Sequence, residues 1–372
     1  MDFNKTLDQL KSLGNFRTIP EEWNKGIVDL SSNDYLGIAD DSDLLARFNA
    51  SLTDSPIRFT SSAARLLSGQ QTHHTNLENL LSELYDRHIL LMNSGYHANA
   101  GAISALAADS TLVVADKLVH ASIIDGITLS RAPFERFRHN DMAHLRRILE
   151  KKAASYERVL IITESVFSMD GDQAPLHELA QIKRHYPNAL LYVDEAHAFG
   201  VLGPNGLGLC HDMPEVDIII GTFGKAAASS GAFIAAKSRT LIDFLINRAR
   251  SFIFSTAIPP VNMAWTYEVI KHMLTLDNRR QHLYDLGHAL ANVLQPFSTS
   301  AITPSHIQPL IVGDARKAIE LSHRLLDDGF KVLPIRTPTV PPGTERLRFS
   351  LSASITMDDI SRLGQSLTTI MS

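Results

Sequence analysis

The chain has 372 residues and one cysteine, Cys210, so it can form no disulfide within itself and offers no thiolate cluster for zinc. That scarcity fits a reducing compartment, and a cytoplasmic location is expected. Missing too is any uninterrupted run of the roughly 18 apolar residues that a membrane helix needs. The N-terminus, Met1-Asp2-Phe3-Asn4-Lys5, lacks an apolar core of signal-peptide length. There is no basic excess: 35 Lys and Arg face 40 Asp and Glu, a formal net charge of −5, which argues against nucleic acid as a partner. Neither repeats nor low-complexity tracts interrupt the sequence. No G-x-G-x-x-G follows an early strand, which ranks an NAD-binding enzyme last. Asp170-Gly171-Asp172 begins like a calcium loop, but the remaining ligands are missing, so it reads as a turn and no metal is expected.

What is present is an ordinary globular composition, 44% apolar, in a chain long enough for more than one domain. Leu7, Leu10 and Leu13 suggest a short amphipathic helix before a polar linker that runs to about residue 25. Leu77, Leu80, Leu81 and Leu84 mark a better helix over 75–87. Apolar, β-rich runs at 88–92, 111–115, 158–163, 189–193, 217–221 and 231–235 alternate with helical segments at 97–108, 123–131, 142–152 and 176–185. That alternation predicts an α/β fold: a mostly parallel central sheet with helices on both faces. After Pro259-Pro260 a long helix is expected over 261–294. A smaller α+β region follows, with strands near 307–312, 331–333 and 346–350 and helices near 315–328 and 357–368. The expected organisation is an N-terminal arm (1–45), a large α/β domain (46–260) and a small C-terminal α+β domain (261–372).

The chemistry centres on Lys225, in Gly221-Thr222-Phe223-Gly224-Lys225, at the end of an apolar run. A lysine amine in a dry pocket can lose its proton and join an aldehyde as a Schiff base. Pyridoxal 5'-phosphate (PLP) is the aldehyde enzymes bind in this way, with an acid paired to its ring nitrogen. Asp194, closing the run Ala189-Leu190-Leu191-Tyr192-Val193, is such an acid, and His197 stands just beyond it. Ligands of open α/β sheets gather at the carboxyl ends of strands. Asp194 alone could as well cap a helix, and Lys225 after the next strand makes the cofactor reading the better one. Asn93-Ser94-Gly95-Tyr96 opens a helix and offers a phosphate seat, although a simple N-cap has the same look. His120 follows the 111–115 strand, where an imidazole can stack on a flat ring, as well as serve structure. Ser168, and the hydroxyls of Ser255 and Thr256, are further candidates for polar contact with the cofactor. Arg336, on a loop stiffened by Pro338, Pro341 and Pro342, can clamp a carboxylate or simply lie in solvent.

Four segments together resemble the α-oxoamine synthases, fold-type-I PLP enzymes that join an amino acid to an acyl thioester with loss of carbon dioxide. They are Ser32-Asn33-Asp34-Tyr35-Leu36-Gly37, the loop 164–172, Val193-Asp194-Glu195-Ala196-His197 and Thr222-Phe223-Gly224-Lys225. The resemblance runs from about residue 30 to the C-terminus. Within the family, 305–314 and 336–341 are most similar to the member that joins L-alanine to a pimeloyl thioester, carried by CoA or by an acyl carrier protein. It implies roles residue by residue. Lys225 would be the Schiff-base lysine, Asp194 the pyridinium partner, His197 the neighbour of the ring hydroxyl and His120 the stacking imidazole. Gly95, Tyr96, Ser168 and Thr222 would touch the cofactor, and Thr256 would reach the phosphate of a partner subunit in a homodimer. Arg336 would hold the substrate carboxylate, Thr339 would line the acyl pocket, and Arg17 would be an N-terminal substrate arginine. The chain departs from the family pattern at 59–69, at Ala198-Phe199 and at Ala226-Ala227-Ala228.

Overall fold

The computed structural model describes residues 2–19, 26–54, 57–69 and 71–372. The strands found among them are β1 (Val28–Asp29), β2 (His88–Met92), β3 (Thr111–Asp116), β4 (Phe134–Phe137), β5 (Arg158–Glu164), β6 (Ala189–Asp194), β7 (Ile218–Thr222), β8 (Ala232–Ala236), β9 (Ile307–Ile311), β10 (Phe330–Lys331), β11 (Leu333–Ile335) and β12 (Arg346–Ser350). The chain forms two compact units: one of Gly37–Phe167 with Gln173–Asp277, the other of Met1–Leu36, Ser168–Asp172 and Asn278–Ser372.

The larger unit is built on a seven-stranded sheet in the order β2-β8-β7-β6-β5-β3-β4. Its pairs are parallel except where β8 runs against both β7 and β2. Along β7 consecutive side chains point to opposite faces, yet Ile218, Ile219 and Ile220 are all fully buried. Both faces are therefore covered, and each such side chain stabilises the fold by roughly 1.5–3 kcal/mol. On one face the helices Gly95–Leu106 and Ala121–Ser130 pack against the sheet in a single apolar cluster that includes Ile103, Ile123, Val113, Leu160 and Ile220. They approach closely at Gly126, where a Cβ would lie 3.0 Å from the Asn99 carbonyl oxygen and from Ile103 Cβ. Ser94 starts the first of these helices by accepting the His97 N–H at 3.2 Å.

The smaller unit carries an antiparallel sheet, β11-β12-β9, and a parallel pair, β1-β10. The helices Ala315–Asp327 and Met357–Met371 each bury one apolar stripe, and Thr356 with Asp359 forms a capping box at the second. Residues 168–172 join this unit through two buried arginines of β12: Arg348 Nε donates to the Ser168 carbonyl at 2.6 Å, and Arg346 pairs with Asp170. Gly171 has φ +71°, and a Cβ there would meet the Ile307 carbonyl oxygen at 1.9 Å, so only glycine fits.

The mostly parallel sheet with covering helices is as expected, with differences of detail. β4 is an additional edge strand; its Phe-Glu-Arg-Phe pattern is half exposed and lacks the apolar run of its neighbours. The expected helix over 261–294 is two helices, Pro260–Met273 and Asp277–Leu294, since Thr275 turns its hydroxyl back to the His272 carbonyl at 2.8 Å. The strand expected at 331–333 is split between β10 and β11. The division between units falls after Asp277, whereas the Pro-Pro pair near 260 starts a helix that stays with the larger sheet. In the first 36 residues β1 pairs with β10, which ties that segment to the smaller unit. Residues 20–25 of the expected polar linker lie outside the described residues.

Candidate active site

In the larger unit, β2, β3, β5, β6 and β7 share one direction, so their carboxyl ends lie along one edge of the sheet. The residues singled out above fall there in turn: Gly95 and Tyr96 after β2, His120 after β3, Asp194 closing β6, Thr222 closing β7 and Lys225 just past it. Lys225 Nζ lies 2.9 Å from His197 Nε2. Asp194 is 5% exposed and is held by two donors, the Asn99 amide on Oδ2 at 2.7 Å and the Ala196 N–H on Oδ1 at 2.8 Å. Thr222 Oγ1 accepts the Gly224 N–H at 3.3 Å, which shapes the turn before the lysine. A Cβ on Gly95 would sit 3.6 Å from Thr222 Cβ, so the helix N-terminus and this hydroxyl are neighbours.

Charge in the cluster is mutual. Burial pushes the His120 imidazole below its ordinary value, Asp194 draws it back up, and the Lys225 amine lowers it. Burial holds the Glu164 carboxyl well above the carboxylate range, Asp194 adds to that, and Lys225 opposes it. Both groups thus feel the acid and the amine together, which places all four within one electrostatic neighbourhood. Glu164 also accepts the His120 backbone N–H.

Tyr96 is half exposed and bonds Asp125 through its hydroxyl. Thr256 is exposed; its carbonyl accepts the Asn93 amide at 2.7 Å, and it forms a β-bridge with Ala64. Ser168 lies in the smaller unit, as do Arg17, Arg336 and Thr339. There the last three come together: Arg17 donates to Thr339 Oγ1 at 3.0 Å, and Arg336 donates to the Gly14 carbonyl. Burial, and then the charge of Arg17, lower the Arg336 guanidinium from its ordinary value. Among the described residues no ion pair to a carboxylate is found for either guanidinium, and two such cations together can attract an anion.

Several residues that shape these clusters were given no role by the sequence. Asn99 and Ser122 are buried beside Asp194 and His120. Glu195 is fully buried; it accepts the N–H groups of Leu209 at 2.7 Å and Cys210 at 3.2 Å, and burial pushes its carboxyl up to about 7. It thereby anchors the loop that returns beside Asp194. The departures at Phe199 and Ala226 are packed devices: Phe199 stacks edge-on against Phe233 at 5.1 Å, and Ala226 fills the space a Cβ on Gly200 would take. In the smaller unit the Asn33–Tyr35 segment is a clasp, with the Tyr35 hydroxyl 3.0 Å from Asn33 Oδ1 and Arg348 donating to the same oxygen at 3.2 Å.

The larger unit's donor set fits PLP: an amine for the aldehyde, an oriented carboxylate for the ring nitrogen, and a capped helix N-terminus beside a threonine hydroxyl for the phosphate. The sequence model described as "Aminotransferase class I and II" matches residues 25–367, and the chain belongs to that family. It is a PLP-dependent acyltransferase of the α-oxoamine synthase type. A protein of Pasteurella multocida named "Putative 8-amino-7-oxononanoate synthase" is 44% identical over 96% of both chains. One of the same name from Neisseria meningitidis serogroup A is 44% identical over 96% of this chain and 97% of its own. Among solved structures, the serine palmitoyltransferase of S. paucimobilis with bound PLP–myriocin superposes with a TM-score of 0.88 at 27% identity, over 99% of this chain and 97% of that one. The 8-amino-7-oxononanoate synthase of Francisella tularensis superposes with a TM-score of 0.79 at 26% identity, over 94% and 98%.

Proposed function

We propose that the protein condenses L-alanine with a pimeloyl thioester, on CoA or an acyl carrier protein, to give 8-amino-7-oxononanoate, carbon dioxide and free thiol, in biotin synthesis. The observation that carries this reading over other amino-acid and acyl pairs is 44% identity, across nearly the whole chain, to relatives bearing that name. The Arg17–Thr339 bond and the nearby Arg336 support it by offering charge to carboxylates, of which both alanine and a pimeloyl chain have one.

When bound, PLP supplies an aldehyde for the amino group and a protonated ring that draws electron density from the substrate α-carbon. Lys225 Nζ, 2.9 Å from His197 Nε2, would hold the aldehyde and, once displaced by the substrate amine, would be placed to take the α-proton. Asp194 keeps the ring nitrogen charged, since an ionised carboxylate favours the protonated partner. His197 would neighbour the ring hydroxyl and His120 would cover the ring. Gly95, Tyr96 and Thr222 would contact the cofactor. Arg336 holds the amino-acid carboxylate until it leaves as carbon dioxide, Thr339 lines the acyl pocket, and Arg17 binds the substrate's second charge.

The protein acts as a cytoplasmic homodimer in which Thr256 reaches the partner's phosphate. Phe59, Leu66, Leu67 and Phe254 are all more than half exposed in the chain segments around the Ala64–Thr256 bridge, a patch that a second copy would cover. Mass spectrometry of the product formed from PLP-loaded protein, L-alanine and pimeloyl-CoA tests the reading. Parallel assays with serine and palmitoyl-CoA and with glycine and acetyl-CoA set the comparison. Faster turnover of either pair overturns the alanine–pimeloyl assignment.

A further inference from the structure

One buried amide links the acid and the imidazole of the cofactor edge. Tyr192 and Asp194 are two apart on β6, so both side chains point to the face covered by the helix Gly95–Leu106. Asn99 of that helix spans them. Its Nδ2 donates to Asp194 Oδ2 at 2.7 Å and to Ser122 Oγ at 3.0 Å, and its Oδ1 lies 2.7 Å from the Tyr192 hydroxyl. Asn99, Ser122 and Tyr192 are each at most 1% exposed.

The direction of every bond follows. A carboxylate only accepts, so the amide nitrogen must face Asp194, and Tyr192 must then donate to Oδ1. Ser122 Oγ takes the second amide hydrogen, which leaves its own hydrogen for His120 Nδ1, 2.7 Å away. The Ser122 backbone N–H also points at His120 Nδ1, at 3.2 Å. A backbone N–H cannot accept, so Nδ1 carries no hydrogen and the imidazole proton resides on Nε2.

We propose that Asn99 is a positioning residue that sets two charges with one amide: it aims the Asp194 carboxylate and, through Ser122, holds His120 neutral with its proton on Nε2. The second effect matters because a cation over the ring would oppose the protonated nitrogen that Asp194 sustains. That part rests on the stacking role given to His120 above; the protonation state itself does not. The charged and titratable groups facing His120 are Asp194 from β6, Lys225 from the loop after β7, Glu164 from β5 and Asp125 from its own helix. The two carboxylates Asp194 and Asp125 favour an imidazolium, so the Ser122 donors and burial must outweigh them.

The test is nitrogen-15 NMR of the histidines in the cofactor-free protein, titrated through the range in which a free imidazole ionises, around pH 6.5. Wild-type His120 is expected to show an unprotonated Nδ1 and a protonated Nε2 at neutral pH. Ser122→Ala keeps the backbone donor and the Asn99–Asp194 bond; its His120 midpoint should rise and its tautomers should mix. Asn99→Asp sets an acceptor against Asp194 and should weaken PLP binding about tenfold. A wild-type His120 protonated on Nδ1, or unchanged tautomer and PLP affinity in both variants, overturns the assignment. The product assay above is unaffected by either outcome, so the two proposals fail separately.

Discussion

The cofactor edge of the larger unit and the arginine cluster of the smaller unit handle charge in opposite ways. At the edge, the two carboxylates stand at the ends of buried strands and are buried with them, and each is held by fixed donors: Asp194 has the Asn99 amide and the Ala196 N–H, Glu164 has the His120 N–H. In the cluster, Arg17 and Thr339 are exposed, and Arg336 is only partly covered. The edge is preorganised, which suits a group that must stay charged through the chemistry. The cluster holds two like charges on loops, bonded to one hydroxyl and one carbonyl. Under the proposed function, rigidity would serve the electron sink and latitude substrate recognition.

If that contrast holds, substitutions at the edge should damage rate or cofactor binding, and substitutions in the cluster should damage substrate binding. The largest effect is expected for Lys225→Ala, which should lower turnover by at least about 10⁴-fold and remove the visible absorption of lysine-bound PLP, as read by steady-state kinetics and a spectrum. Asp194→Asn keeps the shape and removes the charge; kcat should fall on the order of 10²–10³-fold. Arg336→Ala should raise the KM for the amino acid about 10- to 100-fold while PLP affinity, read by fluorescence titration, stays at its wild-type value. A matching loss of PLP affinity would dissolve the distinction between the two regions. Arg17→Ala, at an exposed position, should act on the acyl thioester KM by about tenfold or less.

A last effect concerns pH and stability, not turnover. Burial, aided by the charge of Arg65, depresses the His74 imidazole to about 4 from its ordinary value of 6.5. Its folded value lies below its unfolded one, so protons favour unfolding. Its contribution is full above about pH 6.5 and is lost as pH falls toward 4, up to about 3 kcal/mol in all. His74→Leu should therefore flatten the acid side of the melting-temperature profile, with no change in the KM values set by the arginine cluster.

Legibility in the sequence followed the same contrast. β3, β5, β6 and β7 were readable because burial on both faces demands continuous apolar runs, and Asp194 and Lys225 stand out as polar residues that end them. β4 was not, because an edge strand with Glu135 and Arg136 needs no such run. Nor was the break at Thr275, which involves no glycine or proline, only a hydroxyl turned onto its own helix. Asn99 has meaning only through partners distant in sequence, Ser122, Tyr192 and Asp194, since helix periodicity says nothing about which strand residue an amide will meet. Asp170-Gly171-Asp172 read as a turn, but that Arg346 would reach Asp170 and Arg348 the Ser168 carbonyl from β12 had no local signal.

The reversed strand β8 has a consequence for how the molecule is made. Among the described residues β2 pairs only with β8, more than a hundred residues later in the chain. A ribosome that has delivered residues 88–92 has produced an edge with nothing to bond until 232–236 emerge, and by then Lys225 has already left the exit tunnel. β2 itself is thus secured to the sheet only once the strand that follows Lys225 has been made. During synthesis the capacity to hold the cofactor should appear abruptly, between a nascent chain cut before Ala232 and one cut well after Ala236, and not build up gradually with length.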